Sequence, residues 1–285
     1  LSISVFSFGS DHKKNKSNVI VGANQILEYQ NIIKNKRIGV IANHTSVIFK
    51  ESGEHTHLID SLISLNYNIK KIFAPEHGFR GTKPNGENIN DEIDKNSGLQ
   101  IISLHGKHRN YGEIKSEDLN DIDILIFDLQ DVGVRFYTHL SILHYAMQAS
   151  VSNNIPIIIF DRPNPNGHYT DGPILDLKNK SFVGLHPVPI VYGLTIGEYA
   201  TMINGENWLG VNKKADLTVI RLKNYDRNEI YELPIPPSPN LPNLKAINLY
   251  PSLCLFEGTS VSVGRGTKLQ FQIYGSPNLN KKTNK

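Results

Sequence analysis

Ile122-Asp-Ile-Leu-Ile-Phe127 runs directly into Asp128-Leu-Gln-Asp131-Val-Gly-Val-Arg135. An apolar run of this length with little polar alternation fits a strand covered on both faces, as in a parallel sheet. The burst of carboxylates, amide and guanidinium at its carboxyl end puts polar chemistry at one edge of that sheet. Four other runs end in the same way. Arg37-Ile-Gly-Val-Ile-Ala42 leads into Asn43-His44-Thr45, and Ile69-Lys-Lys-Ile-Phe-Ala74 into Pro75-Glu76-His77-Gly78-Phe79-Arg80-Gly81. Leu99-Gln-Ile-Ile-Ser103 precedes Leu104-His105-Gly106, and Ile155-Pro-Ile-Ile-Ile-Phe160 precedes Asp161-Arg162-Pro163-Asn164-Pro165. Between the runs, apolar residues at three- and four-residue spacing predict helices over 23–34, 57–65 and 138–151. The alternation predicts an α/β fold built on a doubly wound, mostly parallel sheet with right-handed crossovers. Ligands of such sheets bind beyond the carboxyl ends of the strands, where all the bursts fall.

Beyond Asp161 the pattern loosens. Residues 187–191 predict a short strand, 195–207 a helix with Thr195 as N-cap and Glu198 completing a capping box, and 217–222 a further strand. Residues 233–242 hold five prolines, which exclude a regular helix or a central strand and mark a hinge. The main domain is therefore expected over 19–228, with 229–285 as the hinge and the start of a smaller second domain, thin for a core of its own. Residues 1–18 open on Leu1-Ser-Ile-Ser-Val-Phe-Ser-Phe8 and pass into Lys13-Lys14-Asn15-Lys16. That stretch suits either the remnant of an export signal followed by a tether or an ordinary disordered end.

The 285 residues carry 30 basic and 27 acidic side chains, a net charge of +3, too balanced for a nucleic-acid footprint. A single cysteine, Cys254, excludes an internal disulfide framework and a cysteine-rich metal site. No stretch approaches the ~20 apolar residues of a membrane span. There is no Walker A loop, no Gly-x-Gly-x-x-Gly turn and no Gly-x-Ser-x-Gly elbow, and Gly264-Arg-Gly-Thr-Lys268 is spaced wrongly for cradling phosphate. The eleven histidines show no His-Glu-x-x-His or comparable ligand spacing, so neither a metal nor a cofactor is expected.

Glu76 follows a buried strand, fixed by Pro75 and freed to turn by Gly78. A carboxyl group among apolar walls at that edge has its pKa raised and suits general-acid work; a helix cap or a pair with Arg80 are the plainer roles. Asp128, Asp131 and Arg135 form the densest polar cluster, with Asp131 and Arg135 open to an ion pair or to ligand contact. Gly133 predicts a positive φ or a close approach. Asn164, between two prolines, presents a polar side chain from a rigid loop, which serves a ligand or a plain turn.

Asn43-His44-Thr45, the stretch 75–81, Asp128-Leu-Gln-Asp-Val-Gly-Val-Arg-Phe-Tyr-Thr138, the stretch 161–165, Tyr192-Gly-Leu-Thr-Ile-Gly-Glu198 and Phe256-Glu-Gly-Thr-Ser-Val-Ser-Val-Gly-Arg-Gly-Thr267 stand in this order. Together they closely resemble the NamZ-type exo-β-N-acetylmuramidases, from about Val21 to Pro277. The resemblance implies a Rossmann-like N-terminal domain without a nucleotide, a smaller C-terminal α/β domain, here shortened, and a cleft between them. It also implies a glycosidase, exported to the periplasm or cell exterior, that removes terminal N-acetylmuramic acid from peptidoglycan fragments. Muramic acid glycosides would be its partners. Glycoside hydrolysis usually takes two carboxyl groups. Glu76 is expected as the acid, with Glu257 or Asp131 as its partner. Asn43, His44, His77, Arg80, Asp128, Gln130, Arg135, Tyr137, Asp161, Arg162, Asn164 and Arg265 are the expected substrate contacts. Arg265 is assigned the lactyl carboxylate that separates muramic acid from N-acetylglucosamine, since a planar guanidinium grips a carboxylate best. Two other readings stay open: a metal-dependent hydrolase using His44, His77 and Asp131, and a sugar-binding protein without catalysis.

Overall fold

The computed structural model describes residues 18–75, 79–80, 92–105 and 112–277. Its strands are β1 (Arg37–Ala42), β2 (Val47–Phe49), β3 (His55–His57), β4 (Asn68–Ala74), β5 (Glu92–Ile93), β6 (Gln100–Ser103), β7 (Ile124–Asp128), β8 (Ile157–Phe160) and β9 (Leu217–Ile220). Its α-helices are α1 (Ile26–Ile33), α2 (Leu58–Ser64), α3 (His139–Asn153), α4 (Ile196–Gly205) and α5 (Leu244–Leu253). β2 and β3 form a small antiparallel hairpin. The other strands make one sheet in the order β5-β6-β4-β1-β7-β8-β9, in which β5 alone runs antiparallel to its neighbour. Counting the parallel strands along the chain, the order is 3-2-1-4-5-6, the doubly wound arrangement of Rossmann-like sheets. The order reverses between β1 and β7, which pair from Ile38 with Ile124 to Ala42 with Asp128.

The uninterrupted apolar runs are explained by cover on both faces. Every residue of β7 and β8 is buried. Ile41, Leu125, Phe127, Ile157 and Ile159 point to one side, against Leu143 and Met147 of α3 and Tyr199 and Ile203 of α4. Ile38, Val40, Ile124, Ile126, Ile158 and Phe160 point to the other, against Tyr29 and Ile33 of α1 and Leu58 and Leu62 of α2. Each such side chain contributes about 1.5–3 kcal/mol by leaving water, so the sheet edge above them is rigidly founded.

One expectation fails here. Residues 187–191 form no strand: Val191 makes only isolated bridges to Val134 and Asp171, because Pro187 and Pro189 bring no N–H to a ladder. The proline-rich segment is followed at once by α5, whose N-cap Asn243 accepts from Ala246 N at 2.9 Å. Pro251 near its end hides that helix from periodicity. The residues around α5 also share their core with the main domain: Leu241, Ile247, Tyr250, Val263 and Phe271 pack with Val132 and Val134 from the loop after β7.

Candidate active site

The crevice beyond β1 and β7, where a doubly wound sheet receives its ligand, is filled by the chain's own polar groups. Ser46 Oγ accepts from Asn43 N at 2.9 Å and donates to the main-chain oxygen of Asp128. Asn43 Oδ1 accepts from Thr45 N at 2.9 Å and from Thr45 Oγ1 at 2.6 Å, and Thr45 Oγ1 accepts from Gln130 N at 3.1 Å. His57 donates from Nε2 to Asn43 O at 2.9 Å while its Nδ1 accepts from Ile59 N at 3.2 Å. The Asp128 carboxylate is fully buried and held by Arg162 through Nε and Nη2, at 2.6 and 2.8 Å; Nη2 also donates to Val47 O at 3.0 Å. Such a bidentate pair fixes the two loops to each other.

The Asp131 carboxylate is also buried. Its Oδ2 accepts from Gly133 N at 2.6 Å and from the Tyr192 hydroxyl, and Oδ1 has no hydrogen-bond partner. Burial pushes the carboxyl up to about 6, against the pull of Tyr192 and neighbouring main-chain N–H groups. Gly133 has φ 77°, and a Cβ there would lie 2.1 Å from Asn164 Oδ1, so both expectations for this glycine hold. Gln130 donates from Nε2 to Pro163 O at 2.7 Å, and Asn164 from Nδ2 to Leu194 O at 2.8 Å. Asp161 closes the N-terminus of α4, accepting from Gly197 N at 2.8 Å and Thr195 Oγ1 at 2.9 Å. Thr195 and Glu198 form the expected capping box.

Arg135 does not pair with Asp131. Its Nη1 donates to Pro173 O at 2.8 Å and Val188 O at 2.5 Å, clasping the two ends of the long excursion between them. Arg80 lies over the Phe79 ring and pairs with Asp94 at 2.9 Å and Asp60 at 3.4 Å. Glu76 and His77 lie outside the described residues.

An open pocket lies farther out, between the loop after β7 and the C-terminal unit. It has a volume of about 160 Å³ and is lined by Phe136, Tyr137, Thr138, Ser238, Asn240, Leu241, Tyr250, Glu257, Arg265 and Phe271. One wall is the proline-rich segment, anchored where the Tyr137 hydroxyl donates to Pro237 O at 3.0 Å and His44 Nε2 meets Pro236 O at 2.9 Å. The floor is aromatic: Tyr250 stands edge-on to Phe136 at 5.5 Å and to Phe271 at 4.9 Å. Glu257 enters from the 3-10 turn Cys254–Gly258. Its Oε1 accepts from Arg265 Nη1 at 2.5 Å and its Oε2 from Cys254 Sγ at 3.3 Å. Burial pushes the Cys254 thiol up to about 12, which keeps it a donor. A carboxylate, a guanidinium, hydroxyls and an amide around aromatic faces equip this pocket for a polar ring bearing a negative charge.

The family profiles described as exo-β-N-acetylmuramidase NamZ, N-terminal and C-terminal, match residues 38–245 and 248–285. The chain belongs to the NamZ family. It is 40% identical over 272 residues to the peptidoglycan β-N-acetylmuramidase NamZ of Bacillus subtilis, an alignment that covers 92% of this chain and 62% of that protein. It therefore spans about three fifths of that relative's length. Two crystal structures of DUF1343 family proteins from Bacteroides fragilis match it with a TM-score of 0.81 each, at 51% and 30% identity. They are aligned over 93% and 94% of this chain and 69% and 67% of their own. The resemblance read from the motifs and the doubly wound fold both hold.

Of the residues picked out in this NamZ sequence, Tyr137, Glu257 and Arg265 meet in one pocket and His44 supports its wall. Asn43, Asp128, Gln130, Asp131, Asp161, Arg162 and Asn164 form the buried scaffold behind the sheet edge. Ser238, Asn240 and Tyr250 escaped notice. The prolines around the first two read only as a hinge, and Tyr250 belongs to the helix that was missed. Tyr192, which holds Asp131, was visible only as part of a motif. Among the described residues, no three His, Cys, Asp or Glu side chains are grouped so as to hold a metal ion.

Proposed function

We propose that this chain is a glycosidase that releases N-acetylmuramic acid from the non-reducing ends of peptidoglycan fragments. Its B. subtilis relative is named a peptidoglycan β-N-acetylmuramidase, and the family is described as exo-acting. The observation that carries the reading is the pocket in which Glu257 and Arg265 stand over an aromatic floor at the carboxyl edge of the sheet. Glu76, two residues beyond β4, is the general acid. Glu257 is the second carboxylate, favoured over Asp131 because it faces the pocket whereas Asp131 is closed off by Tyr192 and Gly133. An exported location accords with such a substrate and with the apolar stretch Leu1-Ser-Ile-Ser-Val-Phe-Ser-Phe8.

Glu76→Gln tests the assignment, because the amide keeps the size of the acid but delivers no proton. Turnover of an unactivated muramyl disaccharide should fall roughly 10²- to 10⁴-fold, with partial rescue on an aryl muramoside whose leaving group needs less protonation. A variant that cleaves the disaccharide at the parental rate would remove Glu76 from the role. EDTA and dialysis should leave turnover unchanged, since His44 is turned to Pro236 O and Asp131 to Tyr192. Activity lost to chelation and restored by Zn²⁺ or Mn²⁺ would favour the metallohydrolase reading. Binding of muramic acid without any turnover would favour the sugar-binding one.

A further inference from the structure

Glu257 and Arg265 line the same pocket, yet each occupies the other. The carboxylate oxygen that Arg265 Nη1 occupies is closed to a substrate, and the guanidinium cannot turn its whole fork to a ligand carboxylate while one arm is held. The pair is suited to neither task until something separates it. The two partners are unequally anchored. Glu257 rises from a 3-10 turn and keeps a second contact, the Cys254 thiol at 3.3 Å on Oε2, when Arg265 leaves. Arg265 is the more exposed, 46% against 29%, on a long flexible stem between Gly264 and Gly266 at φ 76° and 79°. A rotation of its side chain, without movement of the main chain, is enough to redirect it. A partly exposed ion pair is weak, whereas a planar guanidinium facing a ligand carboxylate inside a pocket makes two strong bonds.

We propose that the lactyl carboxylate of muramic acid draws Arg265 away from Glu257, so that recognising the substrate releases the carboxylate its cleavage requires. This rests on the muramidase reading given above. Selectivity then arises in two places. N-acetylglucosamine lacks the lactyl group, so it loses the contact with Arg265 and also leaves Glu257 engaged. Its glycosides are turned over slowly even at saturation. A residue that merely gripped the lactyl group in ground and transition states alike would change KM and leave kcat alone.

The test compares the chain with Arg265→Ala and Glu257→Gln, using an aryl N-acetyl-β-muramoside and the matching glucosaminide, with calorimetric binding of free N-acetylmuramic acid and N-acetylglucosamine. Arg265→Ala should lose on the order of ten- to a hundredfold in kcat/KM for the muramoside, while kcat for the glucosaminide rises because Glu257 stands free. Glu257→Gln should abolish turnover yet bind N-acetylmuramic acid several-fold more tightly than the parent, with N-acetylglucosamine unaffected. Equal proportional losses on both glycosides in Arg265→Ala, or weaker muramic acid binding in Glu257→Gln, would overturn the exchange. If the parent chain cleaves neither glycoside, the muramidase reading fails for this chain, and the binding measurements on Glu257→Gln still decide whether Arg265 changes partner.

Discussion

At the carboxyl ends of β7 and β8, Asp128 and Arg162 meet as a bidentate pair with 0% and 2% of their side chains exposed. Breaking a buried pair on one side strands a charge without solvent, which costs about 3–5 kcal/mol, whereas replacing both partners by apolar groups is often neutral. Arg162→Met should therefore lose that much stability in urea denaturation, and Arg162→Met combined with Asp128→Leu should recover most of it. A double variant as unstable as the single one would show that the loops need the ions themselves. In the sequence both residues look like substrate contacts. Polar residues after a strand announce an edge, but which of them pair is decided by a partner 34 positions away. Arg135 teaches the same lesson: beside Asp131 in the chain it suggests an ion pair, whereas its guanidinium spans two carbonyls of a distant excursion.

Among the elements, α2, α3 and α4 are tied to their surroundings by histidines that stay uncharged. Burial pulls His57, the N-cap of α2, to about 4, His144 of α3 to about 4, and His186 to about 3. His186 lies between His144 Nδ1 at 3.0 Å and the Tyr199 hydroxyl at 3.1 Å, with Trp208 stacked on it at 4.8 Å. All three lie below the ~6.5 of an unfolded histidine, so the unfolded chain binds more protons. The stability they provide is present above about pH 6.5 and is lost as pH falls toward 4. Asp131 and Asp161, both pushed up to about 6, oppose them: the fold holds protons that unfolded carboxyls, at ~3.9, release. These two add stability as pH falls through about 6 toward 4, so acid brings a net loss smaller than the histidines alone would impose. Asp131→Asn cannot titrate but keeps an oxygen for Tyr192 and Gly133. It should steepen the acid loss by up to about 1.4 kcal/mol per pH unit between pH 4 and 6, measured by urea titrations across that range. An unchanged slope would put the Asp131 carboxyl near its ordinary value. Apolar spacing located α2 and α3 closely, and the capping box of Thr195 and Glu198 located α4. Periodicity missed α5, where Pro251 interrupts the pattern, and the hairpin of β2 and β3, whose strands are three residues each.

On the scale of the whole molecule, the doubly wound fold was legible because short apolar runs ending in polar bursts alternate with helical stretches. The pocket was less legible. Its walls come from the loop after β7, the proline-rich segment and the residues following α5, brought together by a shared apolar cluster that leaves no local pattern. The reading of the molecule as an exo-acting muramidase joins these parts, and its most direct test is product analysis on two isomeric disaccharides. One carries N-acetylmuramic acid at the non-reducing end over N-acetylglucosamine, and the other has the order reversed. The purified chain should release free N-acetylmuramic acid from the first and leave the second intact. Cleavage of both at similar rates, or of neither by a chain shown to be folded, would contradict the account.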